Sequence, residues 1–423
     1  MKPEPIGGRG SLWRHPDFMK LWSSQTISQL GTQVTLLALP VTAILILGAS
    51  PFEVGLLGTF EYLPFILVGL PAGVWVDRLR RRPILIAGDF GRAVLLGSIP
   101  IAYALDGLTI LHLYVVAFLT GICTVFFDVA YQAYLPALVD RDQLVEGNSK
   151  LEISRSGSQL AGPGVAGGLI ELLKAPVAIA ADALSFLVSL GFLFGIRKPE
   201  PPVARHADRD RASMRREIGE GLRYVLGHRL LRPIAMCTAT SNLFGGGMLG
   251  AVLVLFAVRE LRLSPGQIGL AFGIGNAGFL AGAFAARRVA DRVGVGPAIV
   301  GAALVFGTAG FLLPMATPET GMALIIASIA IVGFGGAVYN INQVSLRQAI
   351  TVQRMQGRMN ATMRFLVWGT IPIGSFTGGI LANSVGLRPT LWVVAIGSLL
   401  AFVPPFLSPV RTLERIPEPD GTD

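Results

Sequence analysis

Glu61, Asp128 and Asp182 are carboxylic acids set inside long apolar stretches. A carboxyl group held away from water is expensive when ionised, and one that meets water on alternate sides can carry a proton. Gln25, Gln29 and Gln33 recur every four residues, so they share one helical face. Such a face is costly in lipid and is expected to line a cavity or bond to a neighbouring helix. Asn242, Tyr339, Asn340, Asn342 and Gln343 form a similar polar set in the second half of the chain, and Phe126, Phe127 and Phe244 supply apolar wall. These residue types bind and release a small molecule and a proton; they do not build covalent intermediates. His15, His112, His206 and His228 show no metal-ligand spacing, and Cys123 and Cys237 lie in apolar runs as small buried side chains. No phosphate-binding loop is present, so neither a metal, a cofactor nor ATP is expected, and the chain does not read as an enzyme.

The elements that hold these residues must be membrane helices. Of the 423 residues, 52% are hydrophobic and only 14% charged, with a mean hydropathy of +0.61. A soluble domain carries about 25% charge. Apolar stretches at about 18–47, 52–76, 83–105, 108–130, 149–173 and 177–195 each suffice to cross about 30 Å of hydrocarbon. Six more follow at about 231–258, 268–290, 297–315, 321–346, 359–384 and 389–407. The expected fold is an all-α polytopic protein of twelve transmembrane spans in two six-helix bundles, 18–196 and 231–408. A leader (1–17), a charged linker (197–230, with an amphipathic helix near 213–228) and a polar tail (409–423) flank them.

The net charge of +9 does not indicate nucleic acid, because the arginines sit in short loops between apolar spans. Of 35 Lys and Arg, only Lys174, Arg259, Arg262 and Arg388 fall in or beside loops opposite the Arg78–Arg82 turn. Positive charge collects in the cytoplasm, so the basic side and both termini are expected there, in the bacterial cytoplasmic (inner) membrane. The basic turn itself runs Gly73, then Asp77-Arg78, then Arg81-Arg82. Its counterpart at a spacing near 211 residues is Asp291-Arg292, and Arg155 is matched by Arg364. Two similar bundles can rock about a site between them. Span five adds Gly157, Gly162, Pro163, Gly164, Gly167 and Gly168, small residues that let helices approach closely around a Pro bend.

With these motifs the chain, over residues 12–408, resembles the major facilitator superfamily. The span-five glycines resemble those of its drug-proton antiporters. The segments Phe126–Val139 and Asp182–Leu187 resemble the branch with macrolide-type efflux pumps and the catecholate siderophore exporter. The resemblance implies export by alternating access, with a substrate cavity from spans one, four, seven and ten and with Glu61, Asp182 and Asp128 as the proton-coupling candidates. It also implies that Gly73, Asp77, Arg78, Arg81 and Arg82 join the halves when the chain opens outward. Asp291 and Arg292 would form a weaker second copy of that joint, with Arg155 and Arg364 as half-to-half contacts. Asp128 is expected in that network as well. The partners are then a small molecule, protons and membrane lipid, around a functional monomer. Few charges line the cavity, which favours a lipophilic or amphiphilic compound. A siderophore or other specific metabolite, and proton-coupled uptake, remain the alternatives.

Overall fold

The computed structural model describes residues 12–140, 143–200 and 211–415, without the side chains of Leu70, Val74, Asp77, Arg78 and 211–218. The chain is a helical bundle of twelve crossings. Ten of them are long and apolar enough to span a membrane by length and composition. These are span one (Pro16–Ile46), three (Arg81–Ala104), four (Ile110–Leu138), six (Ala175–Gly195), seven (Leu231–Arg259), eight (Pro265–Val293), nine (Val295–Leu312), ten (Gly321–Ile350), eleven (Gln353–Val385) and twelve (Leu387–Phe406). Span two is divided at Val68 into Pro51–Leu67 and Gly69–Arg78, so neither piece is long enough alone. Span five (Leu144–Leu173) is long but begins with a polar stretch that includes Glu146, Lys150, Glu152 and Arg155.

Local chemistry sets the ends of the helices. Ser50 and Ser264 each open a span with Pro next and a Glu or Gln three residues on. In both, the serine side chain accepts the third backbone N–H and that side chain accepts the serine N–H. This capping box satisfies donors that a helix start leaves orphaned. Its recurrence at the start of spans two and eight is a further trace of the internal repeat. Gly294 and Gly386 join consecutive spans through a single residue at φ +92° and +96°, which glycine adopts without strain.

Spans one and six, three and six, and one and five pack together in the N-terminal bundle; eight and ten, and nine and ten, do so in the C-terminal bundle. The bundles meet along two seams, span two with eleven and span five with eight. The linker helix (Arg211–Gly227) docks on the C-terminal bundle, where Glu220 pairs with Arg358 at 2.5 Å. The sequence marks the tail from 409 only as polar. Its first residues form a short turn, Pro409–Thr412, with Val410 fully buried, because Val295 and Gly296 donate backbone hydrogen bonds to Glu414 and Leu413.

Candidate functional site

The seams are tight at the face opposite the basic turns, here the far face. A Cβ on Gly55 of span two would lie 2.5 Å from Gly379 Cα of span eleven, and one on Gly167 of span five 2.6 Å from Pro265 O of span eight. Only hydrogen fits there. Two polar ties close the same face: Arg259 Nη2 donates to Ala49 O at 2.7 Å, and Gly266 N donates to Glu171 Oε2 at 2.9 Å. The second places a carboxylate at the N-terminus of span eight, where the helix dipole favours it.

Towards the basic face the halves separate around a cavity of about 310 Å³, walled by Phe65, Val125, Val129, Phe365 and Trp368 and carrying Arg364. Phe65 and Trp368 stack across the seam with ring centres 5.1 Å apart. Gly73 lines this cavity, and a Cβ on it would meet nothing within 4 Å. Asp128 is half-buried on span four, within electrostatic reach of Arg92, Arg155 and Arg364. Arg155 and Arg364 are exposed and make no ion pair with a described residue. Glu61 is half-buried on span two and makes no hydrogen bond or ion pair with a described residue.

Other expected residues are held inside one bundle. Asp182 is 1% exposed and accepts hydrogen bonds from Thr35 of span one and from Ser185 at 3.1 Å. Gly31 makes this approach possible, since a Cβ there would overlap Ser185 and Asp182. Gln33 lies on Gly162. Lower on the same stripe, Gln25 Nε2 and Gln29 Oε1 are buried without a partner, as is Ser158 Oγ of span five. Unpartnered buried polar atoms are rare in folded proteins, and these three lie on facing spans one and five. Phe126 stacks on Trp75 with centres 5.8 Å apart. Phe127 and Phe244 do not face the cleft: Phe127 lies under the Arg92 guanidinium, and Phe244 packs on Gly397 of span twelve.

Asn242 and Tyr339 line a separate cavity of about 340 Å³ inside the C-terminal bundle, with Thr238, Ser241, Ser328 and Ser398. Asn242 also ties span seven to span eleven by donating to Val367 O at 3.0 Å, beside a π-helical turn, Asn242–Met248. Asn342 donates to Ala286 O and Val338 O, and Gln343 donates to Asn340 Oδ1 at 3.0 Å. Of the span-five glycines, Gly162 and Gly167 carry close contacts, while Gly157, Gly164 and Gly168 meet nothing within 4 Å. Pro163 is buried, and its carbonyl lies against Gly269.

The side chains of Asp77 and Arg78 lie outside the described residues. In the same turn, the Arg81 and Arg82 N–H groups donate to Glu200 at 2.8 and 2.6 Å, and Arg82 donates to Leu193 O and Phe194 O at the end of span six. Both arginines therefore fasten the turn within the N-terminal half. Asp291 and Arg292 are exposed, and Asp291 lies 3.7 Å from Arg287.

One cluster escaped the sequence reading. Asp89, fully buried in span three, pairs with Arg92 at 2.5 Å and accepts from Ser189 at 2.5 Å, which in turn meets Ser24 at 2.7 Å. The Arg92 guanidinium lies 4.2 Å from the ring centres of both Phe127 and Phe186. A carboxylate three residues before a guanidinium in an apolar helix was the available signal.

The profile described as Major Facilitator Superfamily matches residues 21–241 and 235–422. The chain is 27% identical to the multidrug efflux pump Tap of Mycolicibacterium fortuitum, over 96% of this chain and 99% of that protein. It is 22% identical to macrolide efflux protein A of Streptococcus pyogenes, over 94% and 97%. Among solved structures it is similar to a bacterial homologue of the iron transporter ferroportin in its inward-facing state, with TM-score 0.75, 17% identity and coverage of 94% and 99%. The same homologue in its outward-facing state gives TM-score 0.60, 16% identity and coverage of 92% and 98%.

Proposed function

The chain belongs to the Major Facilitator Superfamily and is a multi-pass membrane transporter, and on that footing we propose that it exports a lipophilic or amphiphilic small molecule by proton antiport. The carrying observation is the asymmetry of the seams: backbone-close glycine contacts at the far face, and an aromatic cleft between the halves at the basic face. An exporter loads its substrate in that state. Phe65, Phe365 and Trp368 offer stacking surface, and neutral contacts of this kind tolerate varied ligands. The names of the efflux relatives agree with this direction. The basic side is cytoplasmic in this reading, by the charge bias of the loops. The monomer is the working unit, because one chain contributes both walls of the cleft.

Glu61 is the coupling residue. It is the carboxyl in the middle of span two that no described hydrogen bond or ion pair engages, whereas Asp182 is held by two hydroxyls and Asp128 faces three arginines. A proton taken up at the far face neutralises Glu61 for the return of the empty carrier and leaves at the basic face, where the next substrate binds. The test uses inside-out vesicles with an acidic lumen and a panel of lipophilic compounds. Compound should accumulate in the lumen as protons leave it, and Glu61→Gln should abolish both signals. Transport that survives Glu61→Gln moves the coupling to Asp128 or Asp182. Compound leaving the lumen together with protons, under the same gradient, makes the protein a proton-coupled importer.

A further inference from the structure

The basic face of the C-terminal bundle carries a second concavity, with two chemically different parts. One is an apolar groove of about 330 Å³ between spans eight, nine and ten, walled by Val289, Val293, Val305, Phe334 and Val338. It exists because span nine presents Gly301 and Ala302 to it. From Pro297 to Val305 the groove follows span nine for about 12 Å. Its rim is exposed where the bundle meets the membrane, with Val293 at 53% and Val305 at 38%. At Val293 the groove joins a polar recess of about 750 Å³ bounded by Asp291, Arg292, Gly294, Glu414 and Arg415. The docked tail completes this recess through the backbone bonds of Val295 and Gly296. Arg292 and Arg415 make no ion pair with a described residue, while Asp291 is engaged by Arg287 at 3.7 Å. Among the described residues, Arg287 and Arg288 precede this recess on span eight, so that four arginines accompany the two carboxylates Asp291 and Glu414.

An apolar slot open to the membrane, with surplus cations at its surface end, is complementary to an acyl chain that carries a negative head. We infer that this concavity binds an anionic phospholipid, its phosphate between Arg292 and Arg415 and one acyl chain along span nine. The groove shares no lining residue with the cleft between the halves, so its occupant is distinct from a transported compound. Among the described residues the charge surplus favours an anionic head over a zwitterionic one.

The test is native mass spectrometry of the full-length protein from micelles holding phosphatidylglycerol and phosphatidylethanolamine in equal amounts. The native chain should retain phosphatidylglycerol preferentially. Replacing both Arg292→Gln and Arg415→Gln should lower that retention about tenfold. Gly301→Leu should lower it similarly by filling the groove. A Cβ on Gly301 meets nothing within 4 Å, so this variant keeps its fold, and its melting temperature verifies that. Unchanged retention in either variant, or equal retention of the two lipids by the native chain, overturns the assignment.

Discussion

Arg92 is a heavily engaged buried charge among the described residues of the N-terminal bundle. It neutralises Asp89 and is clamped between two aromatic faces, while Ser189 and Ser24 extend the chain of contacts to spans six and one. Removing one member of a buried ion pair leaves the other uncompensated and costs about 3–5 kcal/mol, whereas replacing both by apolar groups is often close to neutral. Arg92→Met is therefore expected to lower the melting temperature of the detergent-solubilised protein sharply, and Asp89→Leu combined with Arg92→Met to restore most of it. Gly31 belongs to the same scale. Its missing side chain is what admits Asp182 and Ser185 to span one. Gly31→Val should destabilise by about 1–3 kcal/mol through overpacking, read in the same melting assay. The Phe65–Trp368 stack is a residue-level claim about the substrate. Trp368→Ala should raise the half-saturating concentration of an aromatic compound roughly threefold to tenfold, since such a pair contributes about 0.5–1.5 kcal/mol beyond its area.

At the scale of elements, the span-five helix separates glycines that carry a contact from glycines that do not. Gly167 touches span eight at the far face, and Gly168, its neighbour, meets nothing within 4 Å. Gly167→Leu should force spans five and eight apart and expose the far end of the cleft. Gly168→Leu, on the same helix and of the same size, should not. Labelling a cysteine placed at Thr59, beside the span-two seam, with a membrane-impermeant maleimide from outside distinguishes the two: faster labelling in the Gly167 variant only is expected. Thr59 is a suitable reporter because its hydroxyl lies 3.4 Å from Pro372 O across the seam. Equal labelling in both variants would mean that the glycine contact does not hold the far face shut.

For the whole molecule, the described residues place two polar ties between the bundles at the far face. Outward opening must break the Glu171–Gly266 and Arg259–Ala49 hydrogen bonds together. Glu171→Gln weakens a charge-assisted bond of about 1.5–3 kcal/mol to an ordinary one, which shifts the balance toward the outward-open form. Spin-label distances measured across the basic face should then shorten while those across the far face lengthen. Opposite changes at the two faces are what rocking requires; lengthening at both would indicate local fraying instead.

The amino-acid sequence alone determined the membrane class, the repeat and the side on which positive charge collects. These are compositional or short-range properties: hydrocarbon thickness sets the length of an apolar run, and loop arginines are counted without knowing what they touch. It also placed Glu61 inside a span and located the glycines of span five. Which glycines bear a contact depended on span one, for Gly162, and span eight, for Gly167, both more than 90 residues away in the chain. Phe127 and Phe244 carry no local signal that turns them from the cleft; Arg92 of the preceding span and Gly397 of span twelve receive their rings through helix packing. Likewise Asn242 and Tyr339 are polar residues in membrane helices, as the sequence showed, but the cavity they line is enclosed by spans nine and twelve as well. The break at Val68, the docked tail and the choice of which face stands open are likewise tertiary decisions. The open face arises where two bundles meet more closely at one end of a shared seam than at the other, and the tail docks because span nine offers it backbone donors.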